Sequence, residues 1–396
     1  MSNILFLTHI YPFPPNDGGR IVTYNTLRIL EEKQHKVFLV SFIDKDKEKQ
    51  VDLKNIKQYL VNKNYSNRKL SLIKNLFEKI PFTMKKYFDG DVENKISTIL
   101  KKEKIDVVIL DHLHMAIYAK FIKSINHNIH VYLRQHNIES IIMKRAHEKE
   151  SNLFKKTYLK MQYKKLYKFE SEICEIMDQI LVITEEDKET LKSMNPTLKK
   201  IQTVKAGVDL EKYKPFSYKK EDNGYKLVFL GAMNWLPNEN GTIWFTENVF
   251  PELIKNIPKI KFYIVGKNPS EKVRLLEKRY PENIVVTGYV EDEREYIAMA
   301  DVFIVPLLIG GGMRLKILNA LAMKKAVVTT SIGAEGINLS NSYYIADSPQ
   351  EFLSAIKRML LDKSFRSNLE ENGYKEVVEN YSFESVLNPL LKMLES

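Results

Sequence analysis

Residues 301–337 read DVFIVPLLIGGGMRLKILNALAMKKAVVTTSIGAEGI. A short β-branched run is followed by three glycines and then by a helical run, which predicts a strand, a tight turn and a helix. Glycines carry no side chain, so backbone N–H groups at the start of a helix can face an anion there. We therefore expect the helix after Gly310, Gly311 and Gly312 to bind a diphosphate.

Two cations lie in the first turn of this predicted helix. Arg314 and Lys316 oppose the positive end of the helix dipole, a local cost that an anion bound between them would offset. Both are therefore candidate diphosphate ligands. A glycine-rich turn with two solvated cations is the alternative.

The same alternation of strand-like and helical runs extends along all 396 residues. It predicts parallel sheets covered by helices, and the polar segment KPFSYKKEDNGYK is typical of a linker. We expect an α/β fold of two Rossmann-like, doubly wound domains that face a cleft. The domains are predicted at residues 1–213 and 222–375, with a C-terminal helix at 376–396 packing back on the first. The predicted strands are Ile4–Thr8, Lys36–Phe42, Asp106–Leu110, His130–Leu133, Gln179–Thr184, Lys226–Leu230, Lys261–Val265, Ile284–Thr287, Val302–Val305 and Ala326–Thr329.

The bulk composition narrows the partners and the compartment. A net charge of +11 favours an anionic partner, and the single cysteine, Cys174, excludes an internal disulfide. The N-terminus lacks signal-peptide features, and no apolar run reaches the ~20 residues that span a bilayer. We expect a soluble or peripheral protein of the cytoplasm.

Two lysine-rich stretches could meet an anionic surface. Leu70–Gly90 has apolar residues at helical spacing beside lysines and suits the inner face of an anionic membrane, although an ordinary surface helix explains it equally well. In the stretch 144–173, Phe154, Tyr158 and Met161 form an apolar stripe typical of a core-facing helix. Since no recognised motif accompanies the charge, we expect no nucleic-acid partner.

Two further segments offer ligand contacts. The segment HIYPFPPNDGGRIVTYNTLRIL places Gly18 and Gly19 before a helix, where a backbone can approach a ligand phosphate. In LRQHNIES, His136 follows a predicted strand and could donate to a sugar hydroxyl or transfer a proton. A satisfied structural histidine is the alternative for His136.

Metal-binding patterns are weak in this sequence. DHLH offers His112 and His114, but they are too close together and too isolated for a zinc site. The carboxylate pairs in DKD (44–46) and DGD (89–91) lack histidine support, and no GxSxG motif or P-loop occurs. We expect neither a metal nor a cofactor.

The order of motifs resembles the retaining glycosyltransferase family 4, whose members have the GT-B fold. The motifs cover nearly the whole chain, and the last is the most specific. They are PPNDGGR, LRQHNIES, ILVITEEDKETL, KAGVDLEKYKP, GAMNWLPNENG, FYIVGKNP, VVTGYVED, ADVFIVPL and GGGMRLKILNALA followed by GAEGI. The resemblance implies transfer of a sugar from a nucleotide-sugar with retention at the anomeric carbon, the leaving diphosphate being stabilised electrostatically without a metal.

The resemblance also implies roles for particular residues. Gly18 and Gly19 would approach the diphosphate and the acceptor, and His136 would contact the donor sugar. Val290 would lie near the base through its backbone, Asn234 would contact the substrate, and the helix after Gly312 would cap the diphosphate.

The chain departs from the commoner family pattern at four positions. Two glutamates are replaced by Gly311 and Asn319, and an asparagine amide can still bind a ribose. An arginine and a lysine are replaced by Ala232 and Asn240, which shifts phosphate binding onto Arg314 and Lys316. The chain is therefore more similar to a branch with a GGxRLK-like block.

The expected activity is a metal-independent glycosyltransferase that acts on a glycan or lipid-linked acceptor in cell-surface polysaccharide or glycoconjugate synthesis. Two alternatives stay open, and the missing glutamate pair suggests the second of them. One is a sugar-nucleotide epimerase with the same fold, and the other is a non-catalytic sugar-nucleotide-binding protein.

Overall fold

The structure is a computed structural model, and it describes residues 1–15, 18–44, 50, 53, 55–62, 72, 74–218, 224–310 and 312–395. The chain forms two compact units. Unit 1 comprises Met1–Lys205 and Leu387–Ser396, and unit 2 comprises Ala206–Val386. The segment after Lys205 belongs to unit 2, where the Val208 N–H donates to the Tyr381 carbonyl at 2.8 Å.

Unit 1 is built on a seven-stranded parallel sheet with the order β3-β2-β1-β4-β5-β6-β7. Its strands are β1 Asn3–Thr8, β2 Lys36–Ile43, β3 Ile56–Asn62, β4 Val107–Asp111, β5 His130–Gln135, β6 Gln179–Val182 and β7 Ile201–Thr203. Its helices are α1 Gly18–Glu32, α2 Phe82–Lys85, α3 Gly90–Lys102, α4 Ala119–Ile125, α5 Glu139–Lys149, α6 Leu153–Cys174 and α7 Glu185–Met194, with a 3₁₀ helix at Leu113–Tyr118.

Strands β2 and β4 of unit 1 are buried on both faces. Every residue of β4 is buried, and β2 is buried from Val37 onward, which explains their continuous apolar sequences. Ser2 Oγ donates to the Leu394 carbonyl at 2.6 Å, so the end of the chain packs beside β1.

Unit 2 has a six-stranded parallel sheet with the order β10-β9-β8-β11-β12-β13. Its strands are β8 Tyr225–Leu230, β9 Ile260–Val265, β10 Ile284–Gly288, β11 Val302–Val305, β12 Val327–Thr329 and β13 Tyr344–Ile345. Its helices are α8 Leu236–Asn248, α9 Phe250–Asn256, α10 Glu271–Arg279, α11 Glu293–Met299, α12 Leu315–Ala322, α13 Pro349–Leu361 and α14 Lys363–Tyr381. The last helix, α15 Phe383–Glu395, belongs to unit 1 from Leu387 onward.

The predicted fold class is confirmed, since both units are Rossmann-like parallel sheets with interleaved helices. All ten predicted strands are present with small shifts at their ends. Strands β3, β7 and β13 were not predicted. β7 and β13 have only three and two residues, too few for a periodic signal.

The lysine-rich stretches differ from their predicted form. Leu70 and Ile73 lie outside the described residues, and the chain turns at Leu76 and Phe77 before α2, so Leu70–Gly90 is not one continuous helix. The predicted stripe of α6 is wrong at Phe154, which is 90% exposed. The buried face of α6 is instead formed by Gln162, Leu166, Glu170, Ile173 and Cys174. Among the helices of the described residues, none is both long and apolar enough to cross a bilayer.

Candidate functional site

A cluster of polar side chains lies at the carboxyl ends of three neighbouring strands of unit 1. Thr8 ends β1 beside Asp111, the last residue of β4, and Asp111 pairs in turn with Arg134 of β5. In open α/β sheets, ligands bind beyond this edge. The register of the sheet therefore brings the loops after β1, β4 and β5 together.

The centre of this cluster is the fully buried carboxylate of Asp111. Its Oδ1 lies 2.8 Å from His136 Nε2, and its Oδ2 accepts a 2.6 Å hydrogen bond from Thr23 Oγ1 of α1. Arg134 Nη1 lies 3.7 Å from Oδ1. Burial alone would raise the pKa of Asp111, but the neighbouring imidazoles and Arg134 outweigh it and lower the pKa below its usual range. Asp111 is therefore an ionised, buried acceptor.

The contact with Asp111 fixes the orientation of the His136 ring. An ionised carboxylate only accepts hydrogen bonds, so the hydrogen of this bond belongs to Nε2. In the neutral ring, Nδ1 is then the basic nitrogen. The predicted site residue is thus held by a specific partner, which the sequence did not indicate.

A second buried carboxylate supports the turn that carries His136. Glu170 of α6 accepts hydrogen bonds from Gln135 Nε2 at 2.9 Å and from the backbone N–H groups of Glu139 and Ser140, both at 3.0 Å. Burial raises the pKa of Glu170 to about 7, although these hydrogen bonds act to lower it. Glu170 therefore fixes the chain on both sides of His136.

Three more histidines, His9, His112 and His114, form a cluster beside His136. The ring of His112 stacks on that of His136 with centroids 3.7 Å apart, and His9 packs on His114 and His112 at 4.2 and 4.5 Å. Burial lowers the pKa of each, that of His114 to about 3. The sequence-based view that His112 and His114 are isolated is wrong, because the sheet brings His9 beside them from the end of β1.

The predicted glycine pair lies at the start of α1. Gly18 and Gly19 are the first two residues of this helix, while Asn16 and Asp17 lie outside the described residues. The same helix carries Thr23, the Asp111 partner. Contact of the glycines with a ligand stays a prediction.

In unit 2, the predicted cation Lys316 belongs to the first turn of α12, and its side chain lies at the carboxyl end of β8. Its Nζ donates to Asn238 Oδ1 at 3.1 Å and lies 4.5 Å from the centre of the Phe229 ring. A Cβ on Gly231 would lie 2.5 Å from Asn238 Nδ2 and 2.9 Å from Lys316 Nζ, so a side chain at this position would displace both groups. Burial and the charge of Arg314 lower the pKa of Lys316 to about 7.

Arg314 folds back over the glycine run. Its Nη1 donates to the Gly312 carbonyl at 2.5 Å, and a Cβ on Gly310 would lie 2.4 Å from Nη2. Gly310 and Gly312 have φ values of +138° and +79°, which glycine adopts without strain. Gly311 lies outside the described residues. The structure thus brings Arg314 and Lys316 together at the start of α12.

The other predicted substrate contacts occupy separate parts of unit 2. Asn319 is half-buried one turn further along α12, Val290 packs partly buried on the core after β10, and Asn234 is exposed before α8. Asn238, four residues after Asn234, is the side chain that contacts Lys316. No sequence pattern indicated Asn238, because its partner is 78 residues away along the chain.

Two family models match this chain. The model described as Glycosyltransferase Family 4 matches residues 16–212, and the model described as Glycosyl transferases group 1 matches residues 224–362. The chain belongs to the family 4 type of glycosyltransferase. The predicted family and enzyme class, a glycosyltransferase using a nucleotide-sugar donor, are therefore confirmed, while the GGxRLK-like branch stays a prediction.

Known proteins resemble this glycosyltransferase over its full length. A Klebsiella pneumoniae protein described as an uncharacterized 44.6 kDa protein in cps region is 27% identical, with 99% of this chain and 100% of that protein covered. Sucrose-phosphate synthase from Thermosynechococcus elongatus has a TM-score of 0.74 at 12% identity, with coverage of 100% and 98%. Anabaena HepE in complex with UDP and glucose has a TM-score of 0.70 at 12% identity, with 100% of both chains covered. These two structures show the GT-B fold.

We expect the affinity for a nucleoside diphosphate to fall as the pH rises through about 7. The Lys316 ammonium, with its pKa of about 7, is charged below this pH and becomes neutral above it, so the attraction to the anion is lost as the pH rises. Calorimetric titrations from about pH 6 to about pH 9 should show the Kd of the wild type rising relative to that of Lys316→Arg, by up to about tenfold per pH unit.

The comparison with the arginine variant removes the ionisation of the ligand itself, which is common to both proteins. Lys324→Arg, two residues beyond the end of α12 and paired with Glu371, should keep the wild-type pH dependence. A ratio of Kd values between wild type and Lys316→Arg that stays constant with pH would contradict the role of Lys316.

Proposed function

We propose that this protein is a retaining, metal-independent glycosyltransferase that moves a sugar from a nucleotide-sugar to a glycan or lipid-linked acceptor. It acts in the cytoplasm at the inner face of the membrane, in cell-surface polysaccharide or glycoconjugate synthesis. The cation pair at the start of α12 carries this proposal.

Arg314 and Lys316 supply the charge that a leaving diphosphate requires. The Arg314 guanidinium lies over the glycine turn, and the Lys316 ammonium is fixed by Asn238. Fixed cations in a partly buried site stabilise charge as it develops on the leaving group, which is the task that a metal performs in other enzymes. The binding of UDP and glucose by HepE supports a nucleotide-sugar as the donor.

His136 is the residue that we propose to contact the donor sugar. Its ring is held by Asp111 at 2.8 Å, so it is fixed before a ligand arrives. The basic Nδ1 could accept a hydrogen bond from a sugar hydroxyl, and Nε2 stays on Asp111. Gly18 and Gly19 at the start of α1 are proposed to approach the same substrate.

The remaining contacts concern the nucleotide and the pathway. Asn319 is proposed to bind the ribose through its amide, Val290 to approach the base, and Asn234 to contact the substrate. The cps region named for the Klebsiella pneumoniae relative supports polysaccharide synthesis. The family pattern of motifs supports retention at the anomeric carbon.

Transfer assays with a panel of sugar nucleotides and lipid-linked acceptors test this function. We expect a product whose anomeric configuration, measured by NMR, equals that of the donor, and turnover within about twofold in excess EDTA. His136→Ala should lower kcat by about 100-fold or more, since a positioned acid or base contributes about that factor. The exposed His130→Ala should keep wild-type kinetics.

Each alternative gives a different result in the same assay. An inverted product, or loss of turnover in EDTA, would contradict the proposed mechanism. Isomerisation of the donor without acceptor would indicate an epimerase, and donor binding without any turnover would indicate a binding protein.

Exposed apolar residues beside lysines support the proposed membrane contact. Phe77 is 89% exposed, and Lys85 Nζ lies 5.2 Å from the ring of the partly exposed Phe88. The turn at Phe77 is fixed on α6, because Lys165 Nζ donates to the Leu76 carbonyl at 3.0 Å. An aromatic side chain held out from a basic surface suits an anionic bilayer.

Substitution of Phe77 by serine should weaken vesicle binding. Burying a phenylalanine contributes roughly 2 kcal/mol, so the partition coefficient onto phosphatidylglycerol vesicles should fall by about tenfold or more in a sedimentation assay. Phe216→Ser, at an exposed phenylalanine of unit 2, is the matched control and should bind like the wild type. Equal binding by the two variants would argue against a membrane contact at Phe77.

A further inference from the structure

Three histidines of unit 1 converge from separate parts of the chain. His9 follows β1, His112 follows β4, and His114 lies in the 3₁₀ helix. Each offers a ring nitrogen, and these atoms lie within 4.8 Å of one another. A tetrahedral zinc ion with Zn–N bonds of about 2.0–2.1 Å needs nitrogens about 3.3–3.5 Å apart, so modest ring movements would bring all three into range.

Two ring nitrogens in this group of histidines lack a hydrogen-bond partner among the described residues. His112 Nε2 and His114 Nδ1 are both buried, and His112 is only 7% exposed. An unsatisfied buried polar atom costs about 1–3 kcal/mol. Coordination of an ion would use the lone pairs of both atoms.

The surrounding charges partly balance an added cation. The Asp111 carboxylate lies 3.8 Å from His112 Nε2 and would stabilise an ion bound there. The Lys86 ammonium disfavours a bound cation, since the charge of this lysine contributes to the lowered pKa values of His9 and His114.

A second group of potential ligands shares His112 but is already engaged. It comprises Asp111, His112 and His136, and the carboxylate of Asp111 is used by His136 and Thr23. The three-histidine group is therefore the better site. Imidazole ligands favour zinc, copper or nickel over magnesium or calcium.

We propose that His9, His112 and His114 bind a zinc-class divalent ion and that this ion inhibits sugar transfer. The inhibitory part rests on the proposed function, because the His112 ring stacks on that of His136 at 3.7 Å. A His112 ring turned toward an ion no longer packs in the same way on His136. The ion is a regulator of the site and takes no part in the reaction.

Binding is tested on tag-free, full-length protein titrated with Co²⁺, whose visible absorption reports tetrahedral nitrogen coordination, and with Zn²⁺ in competition. We expect one ion per chain for the wild type and for His127→Gln, an exposed control. His114→Gln should weaken binding by about 30-fold or more. His9→Gln provides a second variant, and thermal melting checks that each protein is folded.

Inhibition is measured separately, by adding Zn²⁺ to the transfer assay. Zn²⁺ should inhibit the wild type and His127→Gln, while His114→Gln should stay active at the same concentration. Absence of a tetrahedral Co²⁺ spectrum, or equal binding by the folded histidine variants, would overturn the site. Binding without inhibition would overturn the regulatory role. The spectrum is readable even if no sugar transfer occurs, so failure of the proposed function is distinguishable.

Discussion

Unit 1 depends on the burial of one charge, the carboxylate of Asp111. An ionised carboxylate inside a protein is costly unless it is paired and hydrogen-bonded, and Asp111 obtains these partners from three elements at once. Thr23 comes from α1, His136 from the turn after β5, and Arg134 from β5 itself. The requirement to satisfy this charge therefore fixes where a helix, two strands and a loop meet. The same geometry packs His112 against His136 and creates the histidine cluster.

Unit 2 contains the opposite arrangement, a partly buried cation with few anionic neighbours. Lys316 is held by the Asn238 amide and the Phe229 ring, neither of which neutralises its charge. Burial and the charge of Arg314 beside it together lower the pKa of Lys316. This electrostatic cost favours the binding of an anion. A bound diphosphate would attract both cations and so offset the repulsion between Arg314 and Lys316. The glycines of the turn allow such a ligand to approach the backbone.

The sequence predicted the fold well, because continuous apolar runs such as β4 and β11 are typical of strands in a parallel sheet. It also indicated candidate site residues that follow a strand or open a helix, such as His136 and Lys316, whose contact with a substrate stays a prediction. It missed their partners. Asp111 and His136 are 25 residues apart, and Glu170 contacts Gln135 across 35 residues, so only the folded sheet brings them together. The histidine cluster was missed for the same reason, because His9 meets His112 through the pairing of β1 with β4.

The Asp111 carboxylate holds the His136 ring with its hydrogen on Nε2. Long-range ¹H–¹⁵N correlation spectra of protein labelled on histidine nitrogen, with His136 assigned by comparison with His136→Ala, measure this directly. The Nε2 of His136 should show the chemical shift of a protonated ring nitrogen and Nδ1 that of an unprotonated one, and Asp111→Asn should change both. A His136 ring with its hydrogen on Nδ1 in the wild type, or one unaffected by Asp111→Asn, would show that Asp111 does not hold the ring through Nε2.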